Sequence, residues 1–105
     1  MTYRVRLSRK RGARLPADTV SVAYPTKWAN PFRPVTRGPA ANDEAVRRYC
    51  RYLQQRPDLV AAARAELAGR NLACWCSPEL VCHADVLLQI ARGVRLDQVR
   101  LGVAA

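Results

Sequence analysis

The stretch that decides the fold spans residues 71–93 and reads NLACWCSPELVCHADVLLQIARG. Its first six residues are mostly apolar and are followed by a Ser-Pro pair, which is typical of a buried strand that reaches the edge of a sheet. After the loop, apolar residues recur at helical spacing from Val86 to Ile90, and Gly93 marks the end of the helix. The stretch therefore predicts a strand, a loop and a helix in that order.

The residues before this stretch predict two more strands and two more helices. β-formers at residues 3–7 and 19–23 indicate short strands on either side of a basic loop. Asn42 suits the N-cap of one helix, and Pro57 suits the first turn of another. Residues 1–105 are therefore expected to form a single α/β domain, layered and Rossmann-like, with a central sheet of three or four strands and three or four helices. A ligand is expected off the carboxyl ends of the strands.

The length and hydropathy of the chain exclude several classes of protein. A chain of 105 residues is long enough for one compact core. No stretch approaches the roughly 18 consecutive apolar residues of a membrane span, and the arginine-rich N-terminus lacks the apolar segment of a signal peptide. We therefore expect a soluble, cytoplasmic protein with no membrane partner. In that compartment the four cysteines should be free thiols, metal ligands or reactive thiolates rather than disulfides.

The formal charge of +10 is concentrated in the first third of the chain. Residues 1–37 carry nine basic side chains against one acidic side chain, whereas residues 38–105 carry nine against seven. Such a field attracts nucleotides or nucleic acids. The residues assigned to phosphate are Arg9, Lys10, Arg11 and Arg14. The alternative is an ordinary solvated face, since sixteen of the eighteen basic residues are arginine, as a compositional habit of a genome would produce.

Three of the four cysteines and the only histidine fall within ten residues. On a strand, Cys74 and Cys76 point to the same side, because residues i and i+2 share a face. Cys82 and His83 could complete a set of three thiolates and one imidazole, for which zinc is the natural cofactor. Two neighbouring helical residues diverge by about 100°, so joint ligation by Cys82 and His83 requires the helix to begin after them.

The same residues permit two other interpretations. A helix N-terminus stabilises a thiolate, so Cys82 could be a nucleophile with His83 as general acid or base and Asp85 orienting the imidazole. Ser77 is an alternative nucleophile or a phosphate anchor at the strand-loop-helix junction. In the other interpretation the cysteines are buried apolar residues and His83 makes a core hydrogen bond. Cys50 lies in a helical apolar stripe, so we exclude it from the site.

A proline-rich segment before the first helix adds a second motif. Its Trp-Ala-Asn-Pro-Phe run at residues 28–32 contains aromatic and amide side chains that can recognise a ligand. Together with Cys-Trp-Cys at residues 74–76 and Cys-His-Ala-Asp-Val-Leu at residues 82–87, this run resembles the motifs of domain-of-unknown-function family 4326, a family of small bacterial and phage proteins. The resemblance covers residues 4–91, with Ala29 in place of a more frequent glycine. It implies a pocket built from both motifs in a bacterial or phage protein, and it implies no activity.

By fold-level analogy with Rossmann-like nucleotide-binding domains, this loop is expected to close over a base. Trp28 or Phe32 would stack on the base and Asn30 would read its edge, while Lys27 and Arg33 would meet phosphate. The full set assigned to the ligand is Tyr24, Lys27, Trp28, Asn30, Phe32, Arg33 and Ser77. The alternative is a proline-rich cover in which Trp28 and Phe32 seal the core.

These motifs favour a protein that binds or processes a nucleotide or a nucleic-acid-derived ligand at a composite site. The sequence does not decide whether the protein is an enzyme. The alternative function is a zinc-stabilised basic module that binds nucleic acid or a protein partner, including a phage inhibitor of a host protein.

Overall fold

The computed structural model describes residues 2–12, 14–32, 38–76 and 80–100 of the 105-residue chain. These residues contain three short parallel strands, β1 (Arg4–Arg6), β2 (Thr19–Ser21) and β3 (Asn71–Cys74), in the sheet order β1-β3-β2. The strand predicted within residues 71–93 is therefore the central one. Its last three residues are buried, as is typical of a parallel strand with a neighbour on each side.

Three helices complete the architecture: α1 (Pro39–Gln54), α2 (Pro57–Glu66) and α3 (His83–Ala91). α3 packs against β1 and β3, and α1 and α2 pack against α3. A small α/β fold with a three-stranded parallel sheet is thus confirmed, while the Rossmann-like layering stays a prediction. The chain after α3 forms a short 3₁₀ helix, Leu96–Gln98. In the part of the chain described above, no helix is long and apolar enough to cross a membrane.

α1 begins earlier than the sequence predicts, so the N-cap assignment of Asn42 is wrong. Pro39 lies in the first turn, and Gly38 precedes it with φ 126° and ψ 169°, a conformation that favours glycine. The fixed φ of proline already suits the first helical turn, so no side-chain cap is required there. Asn42 consequently lies inside the helix, on the same buried face as Val46 and Tyr49.

The core forms where the helices meet the sheet. Its largest fully buried aliphatic side chains are Leu53, Leu67, Leu72, Leu87 and Ile90. Burial of each such side chain stabilises the fold by about 1.5–3 kcal/mol. Two cysteines, Cys74 and Cys82, belong to the same buried cluster, so the cysteine-rich site is anchored directly in the core.

Candidate metal centre and ligand cavity

Three cysteine sulfur atoms converge at the carboxyl end of the central strand. Cys74 is the last residue of β3, Cys76 follows two residues later, and Cys82 immediately precedes α3. Their Sγ atoms all lie within 4.8 Å of one another, and the Sγ atoms of Cys74 and Cys82 are 3.1 Å apart. A tetrahedral ion with metal–sulfur bonds of about 2.3 Å separates its thiolates by about 3.8 Å, so this group has the size of a site for one ion. The three cysteines can therefore hold a metal ion.

The start of α3 determines the position of Cys82. This residue is the N-cap, and its φ of −141° and ψ of 155° are extended rather than helical. The backbone N–H of Cys82 donates to Asp85 Oδ2 at 2.9 Å, and Arg4 Nη1 donates to the same oxygen at 3.0 Å. These contacts tie β1 to the start of α3 and hold the backbone beside the Cys82 thiol. They also correct the role predicted for Asp85, which positions Cys82 rather than the imidazole of His83.

His83 adjoins the three thiols but is not part of the group within 4.8 Å. Its Nε2 lies 2.7 Å from the carbonyl oxygen of Val22. Because a carbonyl oxygen can only accept, Nε2 carries the proton and Nδ1 keeps its lone pair. Nδ1 is 3.5 Å from Cys82 Sγ, an approach that is open because α3 begins after Cys82. Burial lowers the pKa of His83, so the imidazole is neutral.

The three thiols hold their protons unequally. Hydrogen bonds from Cys74 and Cys82 lower the pKa of Cys76 well below its ordinary value. The hydrogen bond to Cys76 raises the pKa of Cys74, and the hydrogen bond to Cys74 raises the pKa of Cys82. Two thiols thus stabilise one thiolate. Ionisation of all three requires a nearby cation to offset the repulsion between the sulfur charges, which is what a bound metal ion provides.

A cavity of about 380 Å³ opens beside the thiols. Its wall includes residues that follow each of the three strands: Arg9 after β1, Ala23 and Tyr24 after β2, and Cys74–Cys76 at the end of β3. The cavity therefore lies off the carboxyl ends of the strands, where the ligand is expected, and the ligand itself stays a prediction. The volume of the cavity lies within the usual range for small-molecule sites.

The mouth of the cavity carries two exposed aromatic rings and one guanidinium. Trp75 is 46% exposed and Tyr24 is 73% exposed. The guanidinium carbon of Arg9 lies 4.9 Å from the centroid of the Trp75 ring. An exposed aromatic ring with a cation over it is suited to a planar ligand that carries negative charge.

Asn42 is a cavity residue that the sequence interpretation missed. The residue is only 7% exposed, its Nδ2 donates to the carbonyl oxygen of Val81 at 3.0 Å, and the same nitrogen lies 4.0 Å from Cys76 Sγ. The sequence does contain a signal that places Asn42 on the buried face of the helix. Pro39 places the helix start before Asn42, and from that start Asn42 shares a face with the apolar Val46.

Most of the predicted base-binding loop serves the fold. Trp28 is 4% exposed, and its carbonyl oxygen accepts a hydrogen bond from Tyr49 in the core. Phe32 contacts the ring of Tyr52 edge-on, with centroids 6.1 Å apart. Asn30 Nδ2 donates to the carbonyl of Ala45, while its Oδ1 accepts from the backbone of Phe32. Trp28 therefore seals the core, as the alternative interpretation predicts, whereas Phe32 is 37% exposed, and Asn30 holds the loop.

The remaining predicted site residues are dispersed. Tyr24 and Asn30 line the cavity, whereas Lys27 lies over the ring of Trp28 and pairs with Glu66 at 2.9 Å. In the basic run, Arg9 reaches the cavity, and the exposed residues Lys10, Arg11 and Arg14 are not among its lining residues. Arg33 and Ser77 lie outside the described residues.

Comparison with known proteins gives one match. A family model described as Domain of unknown function (DUF4326) matches residues 5–93, a range that runs from β1 to just beyond α3. No curated protein and no solved structure matches the chain. The matched range includes all three cysteines of the cluster and every described residue of the cavity wall.

Proposed function

The chain belongs to the family described as a domain of unknown function (DUF4326), and from the geometry of its cavity we propose that it binds a nucleotide or a nucleic-acid-derived ligand beside a zinc ion held by three cysteines. The observation that carries this proposal is the convergence of three Sγ atoms within 4.8 Å in the wall of a cavity of about 380 Å³.

Zinc is the ion that this set of ligands favours. Soft thiolates select zinc, copper(I) or iron–sulfur clusters, and a group sized for one ion favours zinc over a cluster. In this proposal Cys82 is a metal ligand rather than a nucleophile, because its side chain is buried and its hydrogen bond to Cys74 raises its pKa. A thiol with a raised pKa is a poor source of thiolate unless a metal ion stabilises that thiolate.

The mouth of the cavity supports a nucleotide as the ligand. Trp75 and Tyr24 are exposed aromatic residues on which a base could stack, with Arg9 lying over the ring of Trp75. Arg9 supplies a guanidinium beside Trp75, and guanidinium groups bind phosphate through two parallel hydrogen bonds. The net charge of +10 adds a field that attracts such anions over a longer range.

The metal is tested by elemental analysis of protein purified without chelator. We expect close to one zinc ion per chain, loss of zinc in Cys76→Ser, and retention of zinc in Cys50→Ser. Cys50 is a matched control because it is also a half-buried free thiol but lies outside the group. Background zinc in the parent protein, or equal zinc in both variants, would refute the metal centre.

The ligand is tested by calorimetric titration with nucleoside monophosphates. We expect Arg9→Gln to weaken binding roughly tenfold, because a charge-assisted contact to phosphate is lost. Lys10→Gln is the matched control, since it removes the same charge from an exposed neighbour that is not among the cavity-lining residues. Equal weakening of binding in the two variants would show that the affinity depends only on the overall electrostatic field of the protein. No binding of nucleotides by the parent protein would refute the proposed ligand.

A second candidate function is a zinc-stabilised basic module that binds nucleic acid without catalysis. The uneven charge favours it, since residues 1–37 carry nine basic side chains against one acidic side chain. Such a module would hold phosphates on its exposed basic run and would leave the cavity unused. Its affinity would therefore depend on Lys10 and Arg11 and would be insensitive to changes in the cavity wall.

A further inference from the structure

The side chain of Asn42 has an oxygen atom that the fold does not use. Its Nδ2 donates to the carbonyl oxygen of Val81, which can only accept, so the orientation of the amide is determined. No hydrogen bond to Asn42 Oδ1 is found among the described residues. In the same part of the chain, every fully buried side-chain nitrogen or oxygen atom has a partner. Asn42 Oδ1 is therefore not fully buried, and Asn42 belongs to the wall of the cavity, which is where we place this oxygen.

The three thiolates would leave one position of a tetrahedral ion unfilled. Zinc sites with three protein ligands keep the fourth position for water or a substrate. Cys74, Cys76 and Cys82 all line the cavity, so this position would be accessible from it. His83 is the nearest other candidate for a ligand, with Nδ1 3.5 Å from Cys82 Sγ, but it does not belong to the group whose ligand atoms all lie within 4.8 Å of one another.

The charge of such a centre selects the kind of ligand atom. A divalent ion with three thiolates has a net charge of −1, which disfavours a directly bound anion and favours a neutral donor. The side-chain amide of Asn42 adjoins the thiols, since its Nδ2 is 4.0 Å from Cys76 Sγ, and the amide oxygen can accept an N–H. The zinc ion and Asn42 Oδ1 together fit the edge of a ligand that carries a nitrogen lone pair next to an N–H donor.

We propose that a ring nitrogen of an amino-substituted heterocycle, of the adenine or cytosine type, binds the fourth position of the zinc ion while its exocyclic amino group donates to Asn42 Oδ1. The inference rests on the proposed function and names the class of ligand for that site. Adenine and cytosine carry a ring-nitrogen lone pair beside an amino group. Hypoxanthine and uracil carry a carbonyl group where adenine and cytosine have the amino group. A phosphate on the same ligand would extend to Arg9 at the mouth of the cavity.

The test uses protein in which cobalt(II) replaces zinc, because the visible absorption of cobalt reports its coordination. We expect adenosine or cytidine monophosphate to change this spectrum and to bind at least roughly tenfold more tightly than inosine or uridine monophosphate. N6,N6-dimethyladenosine monophosphate keeps the ring nitrogens but lacks the N–H donor, so it should bind as weakly as the inosine compound. This comparison needs no variant and does not depend on whether a variant folds.

The variant Asn42→Leu tests the role of the amide. It should retain its cobalt spectrum without ligand, and it should lose the preference for adenosine over inosine monophosphate. A preference that persists in a folded variant would overturn the role of Asn42. If that variant fails to fold, the comparison of adenosine monophosphate with its N6,N6-dimethyl derivative tests the inference by itself. Equal binding of these two compounds overturns the inference.

The remaining outcomes separate this inference from the proposed function. Nucleotides that bind by calorimetry without any change in the cobalt spectrum would overturn the inference and leave the proposed function standing. A cobalt spectrum that changes in His83→Gln before any ligand is added would assign the fourth position to His83 and would also overturn it. Stoichiometric metal without binding of any nucleotide would refute the proposed ligand and, with it, the inference.

Discussion

Tyr49 is the residue on which the packing of the proline-rich loop depends. It is fully buried, and its hydroxyl donates to the carbonyl oxygen of Trp28 at 2.8 Å. We expect Tyr49→Phe to lower the free energy of unfolding by about 1–3 kcal/mol, because a buried carbonyl loses its donor. Urea denaturation measures this loss. Tyr3→Phe is the control, since Tyr3 is 53% exposed, and equal stability of the two variants would contradict this account.

The other decisive residues of the site are polar groups whose partners lie far along the chain. The Nε2 proton of His83 is held by the carbonyl of Val22, 61 residues away, which leaves Nδ1 facing Cys82. The amide of Asn42 is held by the carbonyl of Val81, 39 residues away. Each backbone carbonyl thus selects one orientation of a functional side chain, and the chemistry of the cavity follows from that selection.

At the level of elements, the start of α3 is the point at which strand, helix and thiols meet. Asp85 Oδ2 accepts from the Cys82 backbone and pairs with Arg4 on β1, whose side chain is 11% exposed. We expect Asp85→Asn to lower the free energy of unfolding by about 1–2 kcal/mol, because it weakens both the helix cap and the ion pair. Thermal unfolding measures the change. The control is Asp97→Asn, which removes an exposed pair with Arg95 and should change stability by less than about 1 kcal/mol.

The boundaries of the elements were predictable to different degrees. The strand predicted at residues 71–76 ends at Cys74, so Cys76 belongs to the loop that brings its sulfur to the cavity. α3 begins at His83, so the helix does not begin after both Cys82 and His83, as joint ligation was expected to require, although Nδ1 of His83 lies 3.5 Å from Cys82 Sγ. α1 was misplaced by about one turn because two local signals competed, and the proline outweighed the side-chain cap.

At the scale of the whole molecule, the uneven charge predicts salt-dependent binding of polyanions. If the basic run contacts DNA through about four phosphates, affinity should fall roughly hundredfold between about 50 and 200 mM salt. Lys10→Gln with Arg11→Gln should reduce the logarithmic salt slope by about two. Fluorescence anisotropy with a labelled duplex measures both. Arg47→Gln with Arg51→Gln removes two exposed charges from α1 as a control, and an equal effect would mean that only net charge matters.

The sequence by itself determined the class of fold, the order of the elements and the cysteine spacing of the candidate site. These features depend on short segments of the sequence. Within each segment, the alternation or helical spacing of apolar residues and the positions of proline determine the local backbone conformation. Only the tertiary structure decided which distant groups meet. It joins Arg4 to Asp85, 81 residues apart, and it buries Trp28 while leaving Trp75 exposed at the mouth of the cavity. Such contacts depend on how helices and strands pack against one another, and no local window of the sequence contains that information.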